Sequence, residues 1–556
     1  MSLFRNILLI FFVSLSLTAF AQTNDPLDGR DTIVLENERI EDVIDSEKPF
    51  IKPPYQEIKT GSTEEIQYES KDFYVETAFQ PVEPKIRNLD KEKKENLTNN
   101  HLRLGVGRFL TPLAQLYINN GRDREVDYGL SFQHLSAHKD VIPLRRFRED
   151  FGTATFAKIS KDITAQGRFH LYNTAYFYYA GDDSTLIPGP AAAREDSLKM
   201  GFTRVDVSGQ LFSNYNPKEE VFYDAGAGIK FYRDRFTNSE LHLAITPSGG
   251  YRLRDDTNLH LGTELNYIRG NIGGIAQNRF FAELTPSLNF DNETFSLKAG
   301  VRFNYFGNSI DTVNYSNLGP MVEVGYEAVP DQLKLIVGLS SGMTNNSYYD
   351  MIYENRYLNR SVDIRPTTET INAYFAAEGN ISQYLDYSAK VFYKRNQNQL
   401  MYVNNDSITF TALYDSLMTT TGAHVEINYD LEDGLQLGGA LNLNVYNTSN
   451  QNGLTPKYFH AAPIRLDLYG AYVIQERVKT RAELFVFGPT PMKNLESGAI
   501  ESRNAYLDLN LHADVRITDA ISVFLSVNNL LNSNYQRWYN YPERKIDIMG
   551  GITASF

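Results

Sequence analysis

The chain contains no cysteine, which rules out a disulfide framework and thiolate metal sites. After its first two dozen residues it has no apolar run near the roughly 18 residues a membrane helix requires, so a helical membrane protein is excluded. Excess positive charge is also missing. Net charge is -14 and pI about 5.3, the wrong sign for a nucleic-acid partner. Tryptophan occurs once, as Trp538, although 36 tyrosines and 33 phenylalanines make the chain rich in aromatics. One membrane architecture survives these exclusions: in a β-barrel only alternate residues meet lipid.

The opening stretch, MSLFRNILLIFFVSLSLTAFAQ, carries Arg5, an apolar run to Phe20, and a small-x-small site at Ala19-Phe20-Ala21. It reads as a signal peptide over 1–21, cleaved between Ala21 and Gln22. Ser14 and Ser16 interrupt the run, which argues against a membrane anchor. From Gln22 to Asn100 the sequence is proline-punctuated and holds 19 acidic against 11 basic residues. This composition predicts a mostly irregular periplasmic segment.

From His101 onward the pattern changes to strand after strand. Ala505, Leu507, Leu509, Leu511, Ala513 and Val515 alternate with polar residues, as do Phe295, Leu297, Ala299, Val301 and Phe303. Soluble strands average about five or six residues, whereas these run long enough to cross a bilayer when tilted. Short turns such as 160–162, 475–477 and 518–520 alternate with long polar loops such as 136–150, 180–200 and 342–366. The fold class expected is therefore all-β, a transmembrane antiparallel barrel of about 22 strands over residues 101–556. Gln397–Asp415 alternates weakly and reads either as wall or as an external hairpin. The closing KIDIMGGITASF places Ile546, Ile548, Gly550, Ile552, Ala554 and Phe556 on one face, which should meet lipid while the backbone closes the barrel against its first strand.

VEINYDLEDGLQLGGALNLNVYN and the final AISVFLSVNNLLNSNYQRWYNYPERKIDIMGGITASF resemble the last strands of TonB-dependent receptors, above all at Asn528-Asn529-Leu530-Leu531-Asn532 and Phe556. LRLGVGRFLTPLAQLYINN and YGLSFQHLSA resemble a plug-lacking branch found in Bacteroidota. The resemblance implies an outer-membrane location, contact with outer-membrane lipid, and insertion by the barrel-assembly machinery. Ile552, Ala554 and Phe556 would then carry the C-terminal assembly signal. Asp31-Thr32-Ile33-Val34-Leu35 resembles the short box that pairs with TonB by strand addition. The resemblance thus implies TonB, or another periplasmic or surface protein, as partner. The segment 22–100 lacks the Gly- and Arg-rich pattern of a receptor plug.

No catalytic, cofactor or metal constellation stands out. His134 and His138 are four apart but lie where a strand runs into a loop, and His424 and His512 sit at lumen-facing polar positions. Asp182-Asp183-Ser184 and Asn404-Asn405-Asp406-Ser407 read as polar loop tips. Neither an enzyme nor a cofactor is expected. Two readings follow: a transport or uptake component, or a structural or assembly-complex scaffold. A barrel this wide cannot be filled by its own inward side chains, so an occluder is expected. The candidates are external loops, of which Ser341–Pro366 is the longest, the segment Gln22–Asn100 with its aromatics Phe50, Tyr55, Tyr68, Phe73, Tyr74 and Phe79, or a partner.

Overall fold

Period-2 alternation gives each strand one face for lipid and one for water, and the remaining question is where the backbone hydrogen bonds go. The computed structural model describes residues 100–121, 125–142, 144–181, 191–214, 219–310, 314–431, 434–449, 457–494 and 498–556. Within them, 22 antiparallel strands form one sheet, from His101–Gly107 to Asp547–Ser555. The first strand pairs with the second and also with the last, Leu104 opposite Ile552 and Gly107 opposite Met549. Asn100 and Phe556 complete the seam with two backbone hydrogen bonds of 3.1 and 3.0 Å. Every wall strand is thus paired on both sides, which a hydrocarbon surrounding demands.

Of the segment Gln397–Asp415, Gln397 ends a wall strand and Gln399–Asp415 is a hairpin outside the wall. Gln399–Asn404 pairs only with Phe410–Asp415, and the wall passes from Leu385–Gln397 directly to Met418–Leu431. The outward face carries the expected apolar band. Leu243, Ile245, Leu261, Leu265 and Val301 are exposed along it, with Tyr223, Tyr251, Phe295 and Tyr326 toward the short-turn end and Phe231, Tyr267, Phe280 and Tyr393 toward the long-loop end. Ile548, Ile552 and Phe556 belong to this lipid-facing set. The inward face is polar and cross-linked: His424 bonds Asn442 at 2.8 Å and His512 bonds Ser526 at 3.0 Å.

The cleavage site at Ala19, Ala21 and Gln22, the box Asp31–Leu35, the segment 22–99 and the loop tip Asp182-Asp183-Ser184 lie outside the described residues. Phe556 lies within them, and its role can be tested. Deleting it removes both hydrogen bonds to Asn100, together about 2 kcal/mol. The expected result is a lower yield of inserted barrel with little loss of final stability, read as the heat-modifiable fraction in outer membranes. Unchanged yield would remove Phe556 from the assembly signal.

Candidate functional site: the loop cap

The polar reading of the long loops needs correction. NNSYYDMIYENRYLN, in the loop between Leu333–Thr344 and Thr367–Ser382, is dense in tyrosine, and most of it is buried. Tyr348, Tyr349, Met351, Ile352, Tyr357 and Leu358 are all nine-tenths or more covered. They join Tyr176 at the end of the fifth strand, Tyr178 just after it, Phe410 of the external hairpin, and Trp538 and Tyr541 of the last loop in a single cluster. Tyr357 stacks on Tyr541 with ring centroids 3.4 Å apart, and Trp538 packs edge-on against Tyr402 and Phe410. Burying an aromatic of this size contributes roughly 1.5–3 kcal/mol, so the cap is a small hydrophobic core built entirely from loops and strand ends.

Hydrogen bonds carry the cap across the mouth. Tyr178 donates to the carbonyl of Leu358 at 3.1 Å. Asn359 and Phe410 are tied by backbone bonds, Asn359 N–H to the Phe410 carbonyl at 2.6 Å and Phe410 N–H to the Tyr357 carbonyl at 3.0 Å. The loops of Tyr178 and Phe410 leave the fifth and fifteenth wall strands, nearly opposite each other in a ring of 22. Tyr541 donates to the carbonyl of Ile408 at 2.5 Å, and Arg145 to those of Pro542 and Glu543 at 3.2 and 2.8 Å. Buried Asp140 then holds Arg145 at 2.6 Å and Arg544 at 3.0 Å. Burial pushes the Glu543 carboxyl above the usual carboxylate range, although Arg356, Arg537 and Arg145 act against it.

A wall-borne clamp fixes the centre of the cap. Glu240 on the eighth strand and Arg279 on the tenth, both near the long-loop end of the wall, form a fully buried ion pair. Glu240 also accepts the backbone N–H groups of Tyr348 and Tyr349 at 3.2 and 3.1 Å, at the start of the short helix Tyr348–Glu354. Arg279 donates to the carbonyl of Asn346 at 2.9 Å. Asn238 adds bonds to the Tyr348 hydroxyl at 3.1 Å and the Arg360 carbonyl at 3.0 Å. Below the helix the guanidinium of Arg204 lies 3.6 Å over the Tyr349 ring, while Tyr353 stays 64 % exposed. Deeper in the lumen, a cavity of about 600 Å³ is lined by Asp127, Gln166, Arg168, Gln210 and Lys230 beside Gly226, Gly228 and Ala244. The arrangement is a polar passage under a closed aromatic lid.

His460 reports on that lid. Its ring lies 5.1 Å from Trp538 and 5.2 Å from Phe410, and burial, helped by Arg503, lowers its pKa to about 3. Above pH 6.5 the imidazole is neutral whether the cap is closed or open. Between pH 6.5 and 3 only the opened form takes up the proton, so this group's share of cap stability falls with pH. Trp538, the one tryptophan, should show it as a fluorescence change on acidification, and His460→Gln should flatten that slope. An equal slope in the variant would assign the response elsewhere.

Among the sequence-singled residues, the structure brings the external hairpin and the loop Ser341–Pro366 into this cap. Asn404 donates to the Lys493 carbonyl at 2.6 Å, and Asp406 accepts the N–H groups of Ile408 and Thr409, so that loop tip organises a turn. His424 and His512 face the lumen as expected. Sequence reading missed Glu240, Arg279, Asn238 and Asp140. The tyrosine density of the loop was the available signal for the cap.

A closed 22-strand barrel with an apolar girdle and a lidded polar lumen is an outer-membrane barrel of the receptor type. The family profile described as TonB dependent receptor-like, beta-barrel matches residues 94–530, and the chain belongs to that family. Its fold is similar to that of the FrpB iron transporter from Neisseria meningitidis (TM-score 0.64, 12% identity, covering 82% of this chain and 81% of that one). It is likewise similar to the ferric-catecholate import receptor Fiu from E. coli K12 (0.62, 11%, 83% and 82%) and to the copper transporter OprC (0.59, 12%, 82% and 80%). No curated protein matches the chain by sequence.

Proposed function

We propose that this barrel is the channel of an outer-membrane uptake system, and that displacement of the loop cap is its gating step. The cap carries the reading. A scaffold has no need to seal a polar lumen, whereas a solute pathway through a barrel this wide must be shut when idle. The iron and copper transporters that share the fold support solute uptake as the class of activity.

The remaining sequence elements take roles in the same scheme. Residues 1–21 are the export signal, cut between Ala21 and Gln22, and 22–100 is the periplasmic segment. Asp31–Leu35 is the strand offered to TonB, and Ile552, Ala554 and Phe556 are read by the assembly machinery. A deletion strain tests the function directly. Impaired growth on, and accumulation of, particular iron or copper chelates is the expected result. Normal uptake of the chelates and other solutes tried, together with stable co-purification of envelope proteins, would favour the scaffold reading.

A further inference from the structure

On the outer face of the barrel wall, three side chains stand in relay order. His134 and Asp150 are direct cross-strand partners, and Asp150 Oδ1 lies 2.6 Å from His134 Nδ1. His134 Nε2 lies 3.0 Å from Ser136 Oγ, two residues along the same strand. With the proton on Nδ1, His134 donates to the carboxylate and its free Nε2 accepts from the serine hydroxyl. Asp150 is held from two further sides, by the Arg148 guanidinium at 2.6 and 2.7 Å and by the Asn173 amide at 3.3 Å, and Asn173 in turn accepts from Thr203 at 3.1 Å. Of the inward-facing histidines, His512 comes nearest to such an arrangement, with Ser526 at 3.0 Å, but its carboxylate, Glu483, is 3.9 Å away.

The location narrows the chemistry. On five successive strands His134, Asp150, Asn173, Thr203 and Arg233 form one cross-strand row. The next row toward the short-turn end is Phe132, Gly152, Leu171, Val205 and Phe231, and the one after it Leu130, Ala154, Phe169, Val207 and Ile229. Phe132, Leu130, Phe169, Val207, Ile229 and Phe231 are exposed to lipid. The polar row therefore sits where the apolar band ends on the long-loop side, the depth at which lipid acyl chains join their headgroups.

We infer that Ser136, His134 and Asp150 form a hydrolytic site that cleaves carboxylic acyl esters of outer-leaflet lipids. Ser136 Oγ attacks the ester carbonyl carbon while its proton passes to His134 Nε2. The carbon–oxygen bond to the alcohol breaks, and the departing oxygen takes that proton. Water, deprotonated by the same His134, then hydrolyses the acyl-serine to free fatty acid and restores the hydroxyl. Arg148, the direct cross-strand partner of Ser136, keeps its guanidinium on the Asp150 carboxylate and so steadies the relay. Ser136 itself is 2 % exposed, and exposed His138 stands against it, its Nε2 3.4 Å from Ser136 Oγ.

The test uses the full-length barrel purified in detergent, with a fluorophosphonate probe and p-nitrophenyl laurate. Labelling is expected on Ser136, located by peptide mass spectrometry of the wild-type protein. Labelling and ester cleavage should vanish in Ser136→Ala, fall at least a hundredfold in Asp150→Asn, and rise in His138→Ala. Heat-modifiability of each variant separates lost chemistry from lost folding. Absence of labelling at Ser136 in the folded wild type, or equal ester cleavage by Ser136→Ala, would overturn the inference. Neither outcome bears on solute uptake through the lumen.

Discussion

Glu240→Ala should open the mouth of the barrel while leaving its wall intact. In the folded protein the Glu240 carboxylate neutralises fully buried Arg279 and receives the first two N–H groups of the cap helix. Removing it strands a buried cation, at a cost of about 3–5 kcal/mol, and leaves two buried donors at about 1–3 kcal/mol each. The loop 345–366 relieves all of these penalties by leaving the mouth, since water then solvates both the guanidinium and the helix start. The wall has no such reason to yield. Ser239–Arg254 stays paired along its length with both neighbours through backbone bonds that the side chain does not touch. In planar bilayers the wild type should be nearly closed, and the variant should show large, stable conductances while remaining heat-modifiable. Trp538 emission should shift to the red as the aromatic cluster becomes wet. Arg279→Met combined with Glu240→Gln should conduct less than Glu240→Ala alone, because no uncompensated charge remains. A closed Glu240→Ala barrel would show that the cap is held elsewhere, with the Asp140 cluster as the next candidate.

Gly551→Ala should impair closure of the barrel. Gly551 faces inward on the last strand, opposite Gly105 of the first. A Cβ there would stand 2.0 Å from the Leu104 carbonyl oxygen and 2.6 Å from the Gly105 Cα, both rigid backbone atoms. The ring of Phe524 fills the remaining space along this pair of glycines, with the Arg103 guanidinium 3.7 Å above it. Overpacking of this kind costs about 1–3 kcal/mol, and here it falls on the last pairing to form. Since about 1.4 kcal/mol is tenfold, this is roughly fivefold to a hundredfold in the closing equilibrium, and the heat-modifiable fraction should fall below that of the wild type. Gly550 supplies the control. It faces lipid, its nearest neighbour would be a carbonyl oxygen at 3.4 Å, and Gly550→Ala should assemble normally. Equal yields from both variants would mean that the seam is looser than its geometry implies.

Much of the wall was legible before any coordinates. Alternation over Phe295–Phe303, Ala505–Val515 and Ile546–Phe556 assigns each residue to lipid or lumen, because a strand's side chains have a period of two whatever it pairs with. Short turns at one end and long loops at the other fix the strand order and the even count. The weak pattern of Gln397–Asp415 left the strand count open by two, and only pairing could choose: Met418–Leu431 reaches Leu385–Gln397 and displaces the segment to the mouth.

The cap was beyond sequence reading for a definite reason. Tyr178, Tyr357, Phe410 and Tyr541 are spread over 364 positions, and no period relates them, because loops have none. Their meeting depends on the closed ring, which brings the fifth and fifteenth strands face to face across one lumen. Glu240 looks like any polar residue at a strand end until Arg279, 39 positions away, is placed beside it and a helix start above. Asp150 likewise gains its meaning from His134, 16 residues earlier, through strand register. Sequence by itself determined that this chain makes a membrane barrel and which face of each strand meets lipid, since both follow from local periodicity. Tertiary structure alone decided what closes the barrel and which polar groups stand together, since those depend on contacts between residues that only closure of the sheet makes neighbours.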